Sequence, residues 1–304
     1  MQKLINKAIK HYNYNDVINN DSCYSDFNRK YKNFTDRDTL KNHSHIIYVV
    51  LNGNPNCTHI KAKNLLFQGD EDCWKYFERT AVFWTYGHNN DKWVDHLKGA
   101  YEYALYVERE DLIKLLSEKS LSYLTDNENL SNKEFKKQKV YPSTQLVHFL
   151  IEKWLGENPV KDLISNYGNG YGIYQKLIDN WNDFSKIEPN YWDELCEYHL
   201  NGIGLQRGEK WENEEFLTSG LIPMELINVF KVRKKLGLDI PTINNALFKT
   251  NMAKYPVIPT GYDKDLDLKF KLIDLTVKTK KKYTFQEIEE HIKSEKGNEV
   301  RIFE

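Results

Sequence analysis

Apolar residues recur at spacings of three and four through most of the first 250 residues, and that period constrains the architecture more than any single residue does. In DKWVDHLKGAYEYALYVER, Trp93, Leu97, Ala100, Ala104 and Val107 fall on one helical stripe, and Gly99, Ala100 and Ala104 permit close helix contact. EDLIKLLSEKSLSYL repeats the pattern with Leu112, Leu115, Leu116 and Leu121. Upstream, Trp74, Phe77, Ala81 and Trp84 mark a helix that starts after an acidic stretch and stops at Gly87, and another helix over residues 56–68 ends near Gly69. Downstream, Pro142 opens and Gly156 closes STQLVHFLIEKWL. NPVKDLISNY, IYQKLIDNWNDF and NYWDELCEYHLNGIGL continue as helices joined by short breaks. Each amphipathic helix must cover its stripe, so successive helices pack in pairs. The expected fold is all-α: an irregular array of packed helical pairs in the style of TPR or HEAT proteins, without a repeat of fixed length.

LIPMELINVFKVRKKLGLDIP, residues 221–241, is the most legible local structure. Pro223 suits a first helical turn, where its missing N–H costs nothing. Glu225 lies near the positive helix end, and Lys231, Arg233, Lys234 and Lys235 crowd the negative one. Leu226, Ile227 and Phe230 form the apolar stripe, with Leu236 near the end. Gly237 is a candidate left-handed cap, Leu238 a candidate Schellman contact, and Pro241 prevents resumption.

Elsewhere the pattern weakens. Residues 36–51 end in HIIYVVL, which reads as a buried helix capped at Asp36 or Asp38. Residues 125–139 are polar and read as a loop. After Pro256, KFKLIDLTVKTKKKYTF alternates partly and EVRIFE ends β-like around a short helix, QEIEEHIKSEKG. The division expected is a helical domain over 1–255 and a small C-terminal appendage over 256–304, with one or two strands.

A net charge of −1 is too small for a dedicated nucleic-acid binder. The charge is unevenly placed: residues 151–215 carry 13 acidic and 6 basic side chains, whereas 231–304 carry 16 basic and 11 acidic. Cys23, Cys57, Cys73 and Cys196 include no CxxC pair, and the chain is long enough to fold without disulfide staples. MQKLINKAIKHYNYND has no apolar core of signal-peptide length, and no window approaches 18 apolar residues. A cytoplasmic protein with free thiols and no membrane contact is expected.

Motifs for chemistry are missing. NYGNGYGIYQ is GxGxG between helices, whereas a dinucleotide loop needs GxGxxG after a strand. No GK followed by Ser or Thr and no GxSxG elbow occurs. His43 and His45 would point to different helix faces, and Cys57 with His59 lacks a second pair at zinc spacing. His88 and His96 flank Asp91 and Asp95 without usable spacing, and WDELCEYH offers Glu194, Glu197 and His199 but not HExxH. No catalytic residue, cofactor or metal is therefore assigned. The chain reads as a binding protein rather than an enzyme.

The acidic middle is rich in aromatic residues, the usual make-up of an interface. The candidate partner-binding residues are Glu188, Tyr191, Asp193, Glu194, Glu197, Glu209, Trp211, Glu212, Glu214 and Glu215. Trp181 and Trp192 read as core, while GEKWENEEF reads as an exposed loop between helices.

Two stretches resemble the bacterial immunity protein 49 family. In residues 92–124, Trp93, Ala100, Ala104 and Leu105 stand in a helix, Arg109 and Asp111 at the turn, and Leu112, Leu115 and Leu116 in the next helix. In the second stretch, Gly220 precedes the apolar helix of Leu221 to Leu236, followed by Gly237, Ile240 and Pro241. The pattern spans about residues 70–255. Glu110 separates Arg109 from Asp111, FKTNMAKYPVIP replaces the family's acidic-Tyr-Leu-Pro ending, and the tail beyond 256 has no counterpart. The resemblance implies an all-α cytosolic antidote that binds one cognate protein toxin, encoded by the adjacent gene, and blocks it by occlusion. A helical-repeat adaptor and an all-α enzyme with a diffuse site are the alternatives.

Overall fold

The computed structural model describes residues 2–9 in part, 55–87, 94–125, 140–158, 160–162, 170–204, 215–216 and 219–254. The helix read over 36–51 and the appendage beyond 256 lie outside the described residues, and so does the loop read over 125–139 except for Thr125, which ends a helix instead. All regular structure among the described residues is helical, as the periodicity requires. The helices are α1 (Pro55–Gln68), α2 (Cys73–Gly87), α3 (Val94–Tyr106), α4 (Glu110–Thr125), α5 (Pro142–Leu155), α6 (Gln175–Asp179), α7 (Pro189–Asn201) and α8 (Met224–Lys235). Short 3-10 turns occur at Gly172–Tyr174, Phe184–Lys186, Leu247–Lys249 and Asn251–Ala253.

Consecutive helices pack on one another: α1 on α2, α2 on α3, and α3 on α4. Leu97, Ala100, Ala104 and Val107 of the expected stripe are buried, but so is every other residue from 97 to 107, so α3 is central rather than one-faced; Trp93 lies outside the described residues. Gly99 lets α2 come close. A Cβ there would lie 3.3 Å from the Trp84 ring, tighter than ordinary packing. The turn from α3 to α4 is fastened by Arg109, which donates to both carboxylate oxygens of Asp111 at 2.7 Å and to Glu78 of α2 at 2.8 Å. Bidentate pairing fixes orientation as well as charge, so this one side chain ties three helices together.

Helix α8 corrects the reading of its sequence. It packs on both α3 and α5, and ten consecutive residues from Met224 to Arg233 are buried. The helix is therefore central, not one-faced. Its cations divide accordingly: Lys234 and Lys235 are exposed at the negative end, while Lys231 and Arg233 are buried. Arg233 donates to the backbone carbonyls of Asp239 and Trp181, and its guanidinium lies 3.6 Å from the Phe184 ring centre. The C-terminus is a Schellman closure. Gly237 N–H donates to the Lys234 carbonyl and Leu238 N–H to the Arg233 carbonyl, with Gly237 at φ 70°.

Among the described residues, most aromatic side chains are buried in the core. One series of ring contacts runs from Phe149 on α5 through Trp181 and Phe184 to Trp192 on α7, then to Phe230 on α8 and Phe248. Their centroids stand 5.0–5.9 Å apart, within the range of favourable edge and tilted contacts.

Candidate functional site

Helix α7 has two chemically distinct faces, set by its own sequence. Tyr191, Trp192, Leu195, Cys196, His199 and Leu200 point into the core. Asn190, Asp193, Glu194 and Glu197 lie at the spacings of the opposite face and are exposed. Glu188 stands at the position just before the helix without a side-chain capping hydrogen bond, with Pro189 in the first turn. Four of the expected interface residues, Glu188, Asp193, Glu194 and Glu197, therefore form an outward acidic stripe. Partners within the chain steady parts of it. Lys176 donates to Glu188 and holds its carboxyl below the usual range. Asn245 donates to Asp193, and Asn190 donates to Glu194 at 3.2 Å.

Two other expected interface residues face inward. Tyr191 is buried, and its hydroxyl donates to the Ile173 carbonyl. Its phenol is pushed above its ordinary value chiefly by that burial. Glu215, read as the end of an exposed acidic loop, is buried as well. One carboxylate oxygen accepts from Ser143 N–H of α5 at 2.7 Å, the other from the Tyr198 hydroxyl of α7. Phe216 N–H donates to the Gly202 carbonyl at 2.9 Å, joining the chain on the two sides of residues 205–214. Glu209, Trp211, Glu212 and Glu214 fall in that stretch and lie outside the described residues.

Behind the acidic stripe lies a buried polar cluster that sequence reasoning missed. His199 is wholly buried, with Nδ1 2.9 Å from Glu225 Oε1 and Nε2 2.7 Å from the Gly220 carbonyl. Phe216 covers the imidazole at a centroid distance of 4.7 Å. Lys98 of α3 donates to the Glu215 carbonyl at 2.8 Å and stands 3.7 Å from Glu102, one turn further on. Asn228 of α8 donates to the Glu102 carbonyl at 3.0 Å. Burial pushes the Glu102 carboxyl up to about 7, opposed by Lys98 and reinforced by Glu225 and Glu215. The available sequence signal was positional: His199 follows Leu195 and Cys196 at helical spacing, and Lys98 and Glu102 flank a run of small and aromatic residues.

The cluster joins α3, α5, α7 and α8 through hydrogen bonds, with Glu225 Oε2 and Asn228 Oδ1 left without a partner among the described residues. Its chemistry is that of a fastening, since every named donor meets an acceptor of the same chain. The buried thiols of Cys73 and Cys196 are both pushed up to about 12, mainly by desolvation, which keeps them protonated and weakly nucleophilic at neutral pH. Among the described residues, no group of three or more His, Cys, Asp or Glu is placed to hold a metal ion. No described helix is long and apolar enough to cross a membrane. Neither a family model, a curated protein nor a solved structure matches the chain.

Proposed function

We propose that the protein is a cytoplasmic, non-catalytic antidote that binds one cognate protein toxin and blocks it by occlusion. The observation that carries this reading is the outward acidic stripe of Glu188, Asp193, Glu194 and Glu197, mounted on a helix whose other face is locked into the core. A rigid helix presents its side chains in fixed register, so little order is lost on docking. Carboxylates arranged in this way favour a partner with a basic contact face and speed its approach. A delivered toxin that acts on nucleic acid would carry such a face. Occlusion needs complementary surface rather than a reactive group, on the order of 1,600 Å² for a stable complex. The resemblance of residues 92–124 and 220–241 to the immunity protein 49 family supports the antidote class.

Co-expression with the toxin gene directly upstream tests the proposal. Cells expressing both proteins should grow, and cells expressing the toxin alone should not. Continued killing by a toxin that fails to co-purify with the protein would refute it.

A further inference from the structure

Three side-chain oxygens in and beside the buried cluster have no partner among the described residues: Glu225 Oε2, Asn228 Oδ1 and the Tyr174 hydroxyl. Tyr174 is 1 %, Glu225 2 % and Asn228 0 % exposed, so bulk solvent does not serve them. Glu225 and Asn228 stand one turn apart on α8, the spacing that puts two side chains on one helix face. Each uses only part of its capacity. Glu225 Oε1 lies 2.9 Å from His199 Nδ1, and Asn228 Nδ2 donates to the Glu102 carbonyl at 3.0 Å. A carbonyl only accepts, so the amide nitrogen of Asn228 faces it and Oδ1 is the end left over.

Tyr174 arrives from the glycine-rich stretch NYGNGYGIYQ, whose place in the molecule is otherwise only that of a connector. Gly172, at φ 51°, lies so close to the start of α5 that a Cβ would stand 2.8 Å from Pro142 Cγ. The Tyr191 hydroxyl of α7 donates to the Ile173 carbonyl. The turn is thus held from α5 and from α7, and its last residue, Tyr174, enters the core edge-on to Tyr198 at 6.0 Å. Burial, with a contribution from nearby Glu225 and Glu215, holds the Tyr174 phenol protonated, so it has a hydrogen to donate. The polar neighbours are already engaged. Tyr198 donates to Glu215, Lys98 donates to the Glu215 carbonyl, and the two nitrogens of His199 face Glu225 Oε1 and the Gly220 carbonyl.

We propose that these three oxygens form a binding site for one internal water molecule, which donates to Glu225 Oε2 and to Asn228 Oδ1 and accepts from the Tyr174 hydroxyl. Buried polar atoms that the chain does not pair are paired by ordered water, and such waters make about three hydrogen bonds each. The hydrogen count selects water. Two acceptor oxygens need two hydrogens, and the phenol needs a lone pair. A monovalent cation would take all three oxygens as ligands and leave the phenol hydrogen without an acceptor. The bridge joins the glycine-rich turn to α8 behind the helix that carries the acidic stripe, and it stands whatever that outer face binds.

A high-resolution crystal structure of the full chain tests the site directly. Density for one water should stand about 2.6–3.2 Å from each of the three oxygens. Side chains that meet one another with nothing between them would overturn the proposal. So would anomalous density at that point after a rubidium soak, which would assign a cation instead. Urea unfolding of Tyr174→Phe gives the solution counterpart, because the variant removes only the hydroxyl. A bridged hydroxyl makes a hydrogen bond that the variant loses, so the unfolding constant should rise by roughly 3- to 10-fold. An orphaned hydroxyl only opposes folding, so its removal would leave the constant unchanged or lower it, and that result would also overturn the water. The crystallographic test needs no variant and decides alone if Tyr174→Phe does not fold.

Discussion

Glu197 and His199 stand two residues apart on α7 and face opposite ways. Glu197 belongs to an exposed stripe with Asp193 and Glu194, whereas His199 is wholly buried against Glu225 and the Gly220 carbonyl. The same comparison holds between Glu188 and Glu215, both read as interface residues. Glu188 meets Lys176 in solvent, while Glu215 is built into the junction of α5 and α7. A solvated ion pair contributes little and breaks at little cost, whereas a buried pair leaves an uncompensated group when one member is removed. One helix therefore carries a face free to be used by a partner and a face committed to the fold.

The largest expected effect of separating the two faces comes from the inner one. His199→Ala leaves Glu225 Oε1 and the Gly220 carbonyl without their ring partner in a buried site, so unfolding in urea should show a loss of about 3–5 kcal/mol. A loss below about 1 kcal/mol would mean that the cluster is not a fastening. A smaller effect is expected at the end of α8. Gly237→Ala forces a side chain into a left-handed backbone and should cost about 1–2 kcal/mol by the same measurement. The smallest effect on stability belongs to the outer face. Glu194→Lys with Glu197→Lys should leave the unfolding free energy within about 0.5 kcal/mol of wild type, since both positions are exposed.

Local features of the fold were legible where the signal was local. Pro142 and Gly156 bound α5 as its sequence indicated, and Gly237 with Leu238 closes α8 by the motif that its spacing suggests. The stripe of α3 is buried from Leu97 on, but residues 97–107 are buried on every side, which a one-faced period does not indicate. What stayed hidden depends on partners far along the chain. Lys98 meets the carbonyl of Glu215, Asn228 meets that of Glu102, and no short window contains either pair. Arg233 looked like a cation at the negative end of a helix, yet α8 is central and its guanidinium is stacked on Phe184. Glu215 misled for a related reason. Its neighbours in GEKWENEEF are polar, but Phe216 turns the chain inward and takes Glu215 to the Ser143 amide. Of the candidate interface, the residues on α7 obeyed helical geometry, and that is why Glu194 and Glu197 could be separated from Tyr191 once the core face was known.

The most direct measurement is the affinity of the upstream-encoded toxin for the wild-type protein and for the Glu194→Lys, Glu197→Lys variant, at low and at high salt. A variant of unchanged stability should bind at least about tenfold more weakly at low salt, with the gap narrowing as salt screens the charges. Equal affinity at low salt would contradict the assignment of the acidic stripe to the partner.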